Sequence, residues 1–100
     1  MHFVLTYDLS LKDEERRDAE ERIDEVLSPY QHTRKLTTFF IIHVNSYSDW
    51  TLIRSNMSEI AQDLNGALHY IMSPLMSGGR YDGYLPQNDW NDINAITSLD

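Results

Sequence analysis

Asp8 is the side chain best suited to chemistry, because it follows a short apolar run, Phe3-Val4-Leu5-Thr6-Tyr7, that reads as a strand. A carboxylate at a strand end suits magnesium, a hard cation that takes oxygen ligands, keeps several waters and needs only one or two protein carboxylates. The plainer alternative is that Asp8-Leu9-Ser10 is ordinary turn and helix-entry chemistry, with no ligand involved. A second candidate is Gly78-Gly79-Arg80-Tyr81-Asp82-Gly83-Tyr84, where Arg80 could meet a phosphate and Tyr81 could stack on an exposed base. That stretch lacks the lysine of a Walker loop, and an ordered loop packing its tyrosines on the sheet or on a partner subunit explains it more simply. His2, His32, His43 and His69 show no metal-ligand spacing, and nothing in the residue order supports a Ser-His-Asp arrangement.

Composition narrows what these residues can do. The chain has 100 residues, 41% hydrophobic and 24% charged, which suits one globular domain spanning residues 1–100. It contains no cysteine, so disulfides and thiolate metal sites are excluded. Sixteen acidic residues against eight basic ones give a formal net charge of -8. Nucleic-acid affinity comes largely from Lys and Arg neutralising phosphates, and after Lys35 the chain offers only Arg54 and Arg80. Any nucleic-acid contact must be small or metal-bridged. The acidic run from Asp13 to Glu25 reads as a solvated helix face, or more sharply as a surface that imitates nucleic acid or docks on a basic protein partner. Met1-His2-Phe3-Val4-Leu5 lacks the basic start and long apolar stretch of a secretory signal. The longest apolar run, Phe39 to Ile42, is far too short to span a membrane. A cytoplasmic protein with no membrane partner is expected.

The elements that position Asp8 follow from periodicity. Residues 2–8 alternate as a strand, with Phe3, Leu5 and Tyr7 on one side and Val4, Thr6 and Asp8 on the other. Ser10 is a natural N-cap for a helix from about Lys12 to Leu27, whose apolar stripe is Ala19, Ile23, Val26 and Leu27. Asp18 and Arg22 are correctly ordered for an i,i+4 pair, and Pro29 ends the helix. Residues 30–35 and 37–44 read as two strands joined by a tight turn near Leu36, although the lack of Gly or Asn there leaves one long bent strand open. Ser48 is the expected cap of a second helix, Asp49 to Leu64, with Trp50, Ile53, Met57, Ile60, Ala61 and Leu64 on one face and Gly66 as its stop. A strand from Ala67 to Met72 or Ser73 follows, ended by Pro74. Residues 77–87 read as an ordered loop, and Asn88 or Asp89 caps a short helix bearing Trp90, Ile93 and Ile96.

This order implies an α+β, ferredoxin-like βαββαβ sandwich, a four-stranded antiparallel sheet with two helices on one face, followed by a loop and short helix. Two helices cover only one face, and the other carries apolar side chains. Self-association, cover by the C-terminal tail, or both must shield it.

The opening Phe3-Val4-Leu5-Thr6-Tyr7-Asp8-Leu9-Ser10 resembles the first strand of Cas2-like proteins, a hydrophobic strand ending in Tyr-Asp-Ile or similar. The segment from Tyr30 to Val44 resembles the paired central strands of that group, and Gly78 through Trp90 has an echo in its tails. The likeness is greatest to the small stand-alone members found outside CRISPR loci. It covers nearly the whole chain through loose motifs, of which Tyr7-Asp8 is the most specific. The resemblance implies a ferredoxin-like homodimer in which Asp8 holds a divalent metal, Mg, near the two-fold interface. Its activity would be metal-dependent cleavage of RNA or DNA, with Ser10, Arg80 and Tyr81 as accessory contacts. The acidity and the absence of a basic cluster beside the first strand depart from that group. They favour an alternative, a non-catalytic acidic interaction module that inhibits or adapts a nucleic-acid-handling or defence complex.

Overall fold

The computed structural model describes residues 2–74 and 85–97, apart from the side chains of Lys35 and Pro74. The element order is β1 (His2–Leu9), α1 (Asp13–Leu27), β2 (His32–Leu36), β3 (Phe39–His43), α2 (Tyr47–Asp63), β4 (Leu68–Pro74) and α3 (Gln87–Thr97). The four strands form one antiparallel sheet ordered β2-β3-β1-β4. The chain is therefore α+β, with β1 in the interior of the sheet and β2 and β4 at its edges.

Strand alternation sorts the apolar side chains into two clusters. Phe3, Leu5, Tyr7 and Leu9 of β1 join Phe40 and Ile42 of β3 and Leu68 of β4 on one face. Over them lie Ala19, Ile23 and Leu27 of α1 and Ile53, Met57 and Ile60 of α2, the buried part of the stripes expected from sequence. The opposite face is covered in part by α3, whose Ile93 and Ile96 bury against Ile41, with Val4, Phe39 and Trp90 packed around them. α3 lies on β2 and β3. α3 thus shields the β2–β3 side of the second face and reaches Val4 of β1, while Asp8, His69 and Ile71 stay exposed, Ile71 at 67%.

Local signals were displaced at several points, each for an identifiable reason. Ser10 does not cap α1. Its N–H is taken by Ala67 O at 2.8 Å in continuation of the β1–β4 ladder, and the cap position falls on Lys12 without a side-chain bond. Asp13 opens α1 with φ 53, a left-handed conformation that aspartate tolerates better than most residues. Arg22 reaches across to Asp63 on α2 at 2.9 Å, in place of the expected pair with Asp18. The β2–β3 connection is the expected hairpin, turning through Thr37 and Thr38 just after Leu36, and not one bent strand. Without Gly or Asn, that turn is supported from outside: the Tyr7 N–H donates to Thr38 O at 3.1 Å, and β2 carries an irregularity between Arg34 and Leu36.

α2 begins earlier than expected because Ser46, not Ser48, is its cap. Ser46 Oγ accepts the Asp49 N–H at 3.4 Å, and Asp49 Oδ2 accepts the Asn45 N–H at 3.1 Å. This is a close relative of the reciprocal capping box. Ser46→Ala is expected to lower stability by about 1 kcal/mol. Ser48→Ala, which leaves the bond to Asp49 intact, should shift the thermal midpoint less when the two variants are compared. At the other end, Asn65 (φ 52) and Gly66 (φ 91) turn the chain left-handed into β4, the role expected of Gly66. β4 includes Pro74 as its last residue, opposite Phe3, which an edge strand can accept. α3 starts at Gln87, ahead of the expected caps, with the Asp89 and Trp90 N–H groups donating to Pro86 O at 3.0 and 3.3 Å.

Candidate functional site

Tyr7 and Asp8 divide between the two faces of the sheet. Tyr7 points towards the helices and is 4% exposed, while Asp8 is exposed on the face that α1 and α2 do not cover. Its phenol is tied to three elements. Arg34 Nη2 donates to Tyr7 Oη at 3.1 Å, and Tyr7 Oη lies 3.4 Å from Thr37 O and 3.5 Å from Glu20 Oε2. Burial pushes the Tyr7 pKa above its ordinary value of 10.0, against the opposing pull of the Arg34 guanidinium. Glu20 also receives Arg16 Nε at 3.1 Å, and Arg16 Nη1 donates to Leu9 O at 2.9 Å. Arg34 lies 4.9 Å above the ring of Phe40, which in turn stacks on Tyr7 at 6.1 Å. The end of β1 is therefore gripped on its buried side, and the backbone that carries Asp8 is held by its neighbour.

On the open side, Asp8 faces His69 of β4 in register, and Thr6 faces Ile71. These residues, with Tyr7 and Tyr70, line a shallow depression of about 250 Å³. Asp8 and His69 are its only side chains with ordinary metal-ligating atoms. Among the described residues no group of three or more His, Cys, Asp or Glu is close enough to hold a metal ion. The described residues bring one such pair, Asp8 and His69, to this depression. A magnesium shell completed by waters, or by a second copy of Asp8, is compatible with that pair, whereas a closed structural site is not.

The other sequence candidates are dispersed. Ser10 lies two residues beyond Asp8 but lines a separate groove with Leu11, Lys12, Asp13, Glu14 and Glu15. Arg80 and Tyr81, with the rest of the Gly78–Tyr84 stretch, lie outside the described residues. His43 is half-buried opposite His2 in the β1–β3 ladder, and His32 Nδ1 contacts Tyr30 O at 2.8 Å.

Sequence reasoning missed an aromatic column on α2. Tyr47 stacks on Trp50 with centroids 5.4 Å apart and planes at 19°, and the Arg54 guanidinium carbon lies 5.4 Å from the same indole. Phe3 meets Trp50 edge-on at 6.3 Å. The spacing Tyr47, Trp50, Arg54 was the available signal, being i, i+3 and i+7 on one helix.

No helix among the described residues is long and apolar enough to cross a membrane. No protein-family model and no curated protein matches the chain.

Proposed function

We propose that this chain is a ferredoxin-like, Cas2-like protein that pairs through the open half of its sheet and cleaves phosphodiester bonds with a divalent metal, magnesium in the first instance. The observation that carries this reading is the placement of Asp8: exposed, at the end of an interior strand, beside the uncovered Ile71 and across from His69. The order β2-β3-β1-β4, in which each helical crossover skips one strand, supports the ferredoxin-like assignment. Pairing of two such faces would bury Ile71 and Thr6 and bring two Asp8 carboxylates towards one cleft. A divalent cation bound there supplies Lewis acidity and an activated water. The protein's own contribution is to fix the carboxylate, which the Tyr7–Arg34–Glu20 network does by locking the preceding residue. Ser10, Arg80 and Tyr81 are accessory contacts in this reading, and the cytoplasm is its compartment.

Asp8→Asn keeps the shape and removes the charge. It is expected to lower magnesium- or manganese-dependent cleavage of a short RNA or DNA by at least about 100-fold, the upper end of what losing even an outer-sphere partner costs a metal site. Circular dichroism should not change. Cleavage by the variant at the parent rate would refute the assignment.

One observation favours a second reading. On α1, Asp13, Glu14, Glu15, Asp18, Glu21 and Glu25 are all exposed, and the four described arginine–carboxylate pairs, which use Glu20, Asp24 and Asp63, leave them to solvent. A non-catalytic protein would use this surface against a basic partner, such as a component of a nucleic-acid-handling complex. Loss of partner capture on charge reversal of α1, with no metal-dependent cleavage by the parent protein, would decide for it.

A further inference from the structure

α2 carries a row of side chains that the core does not use. Tyr47, Thr51, Arg54, Ser58 and Gln62 recur at spacings of three and four, so they form one stripe alongside the buried Ile53, Met57 and Ile60. At its start Tyr47 is 67% exposed yet already stacked on Trp50, which is braced from below by Phe3. A ring held this way has less rotamer freedom to lose when something stacks on its outer side. Further along, α2 and the edge strand β4 enclose an open groove of about 520 Å³ lined by Arg54, Ser55, Ser58, Glu59, Gln62 and Tyr70. It offers a guanidinium, two hydroxyls, a carboxamide and a phenol against a single carboxylate. Arg16, Arg22 and Arg34 are each bound to a carboxylate, whereas Arg54 is held over the Trp50 ring with no carboxylate partner among the described residues. In a chain of net charge -8 that is a locally donor-rich strip.

We propose that this strip binds a short single-stranded nucleic acid, with one base stacked on Tyr47 and the following phosphates against Arg54, Ser55 and Ser58. Stacking tolerates any base, and the aromatic column is what distinguishes this occupant from an acidic peptide, which would use Arg54 and leave Tyr47 idle. The stripe from Tyr47 to Gln62 is about 22 Å long at the helical rise. That accommodates on the order of four nucleotides, the low end of single-strand site sizes. With one cation facing the backbone, the salt dependence is shallow, a log–log slope of about -0.7. Tyr70 borders both this groove and the Asp8 depression, so a strand leaving over the β4 edge arrives at Asp8. Delivery to Asp8 rests on the cleavage reading above, but binding does not.

The test is a titration of the ¹⁵N-labelled full chain with an oligouridylate of about six nucleotides, in EDTA at low salt. Expected are saturable shifts of the Trp50 indole N–H and of the Arg54 side chain, with the Trp90 indole unmoved. Tyr47→Ala and Arg54→Gln should each weaken binding by about 10-fold, while Tyr47→Phe keeps the stacking ring and Asn91→Ala, exposed on α3, binds like the parent. Retention of affinity by Tyr47→Ala, saturation by a polyglutamate peptide but not by the oligonucleotide, or no saturable shift with either would overturn the proposal. Because EDTA removes any metal, failure here leaves the Asp8 cleavage assay unaffected, and failure of that assay leaves this one standing.

Discussion

Phe40→Ala is expected to destabilise the protein by about 3–5 kcal/mol, read as a shift of the urea midpoint at unchanged slope. Phe40 is 1% exposed and meets two other rings and a cation. It stacks on Tyr7 at 6.1 Å, meets His32 at 5.9 Å, and carries Arg34 at 4.9 Å from its centroid. Truncation would leave a cavity between β3 and the helices and remove the surface on which Arg34 lies. The guanidinium would then lose its aim at Tyr7 Oη and Glu20, so the damage extends to the Tyr7 anchor behind Asp8. Phe40→Leu, which fills most of the volume, should cost less. A loss below about 1 kcal/mol for alanine would mean that this stack does not hold the sheet end together.

Simultaneous Ile93→Ala and Ile96→Ala is the second large effect. Each isoleucine is buried, at 2% and 5% exposure, and together they are the apolar face by which α3 holds Ile41. At the lower end of the usual cost for buried Ile→Ala, the pair should remove about 4 kcal/mol. Release of α3 also bares Ile41, Phe39 and Val4, so dye binding and self-association in sedimentation should rise together. An unchanged denaturation midpoint, or lower stability without any new exposed apolar surface, would show that α3 does not shield the sheet.

Much of the scaffold was legible because its signals are local. The spacings Ala19-Ile23-Leu27 and Ile53-Met57-Ile60 specify buried helix faces whatever surrounds them, and Phe3, Leu5 and Tyr7 alternate cleanly enough to fix which side of β1 turns inwards. The exposure of Asp8 follows from the same alternation. What failed depended on partners far along the chain. Ser10 looks like a cap until Ala67 claims its N–H, and the Thr37–Thr38 turn has no turn residue because Tyr7 supports it from another strand. The Tyr7–Arg34–Glu20 network joins residues 13 and 27 positions apart, a separation at which no periodic pattern operates. Apolar content alone required some cover for the second face, but not how that face would divide. α3 docks on β2 and β3, reaches Val4 of β1, and leaves Asp8, His69 and Ile71 exposed.

The interior position of β1 has a consequence for how the protein is made. It precedes the other described strands in the chain, yet its partners are Phe39–His43 on one side and Leu68–Pro74 on the other. At ordinary elongation rates the second partner follows roughly 3–13 s after β1 itself. During that interval α1 and the β2–β3 hairpin can form, and β3 can pair with β1, but one flank of β1 has nothing to bond. A product truncated before Leu68 would keep that flank permanently, as a hydrophobic template for copies of itself.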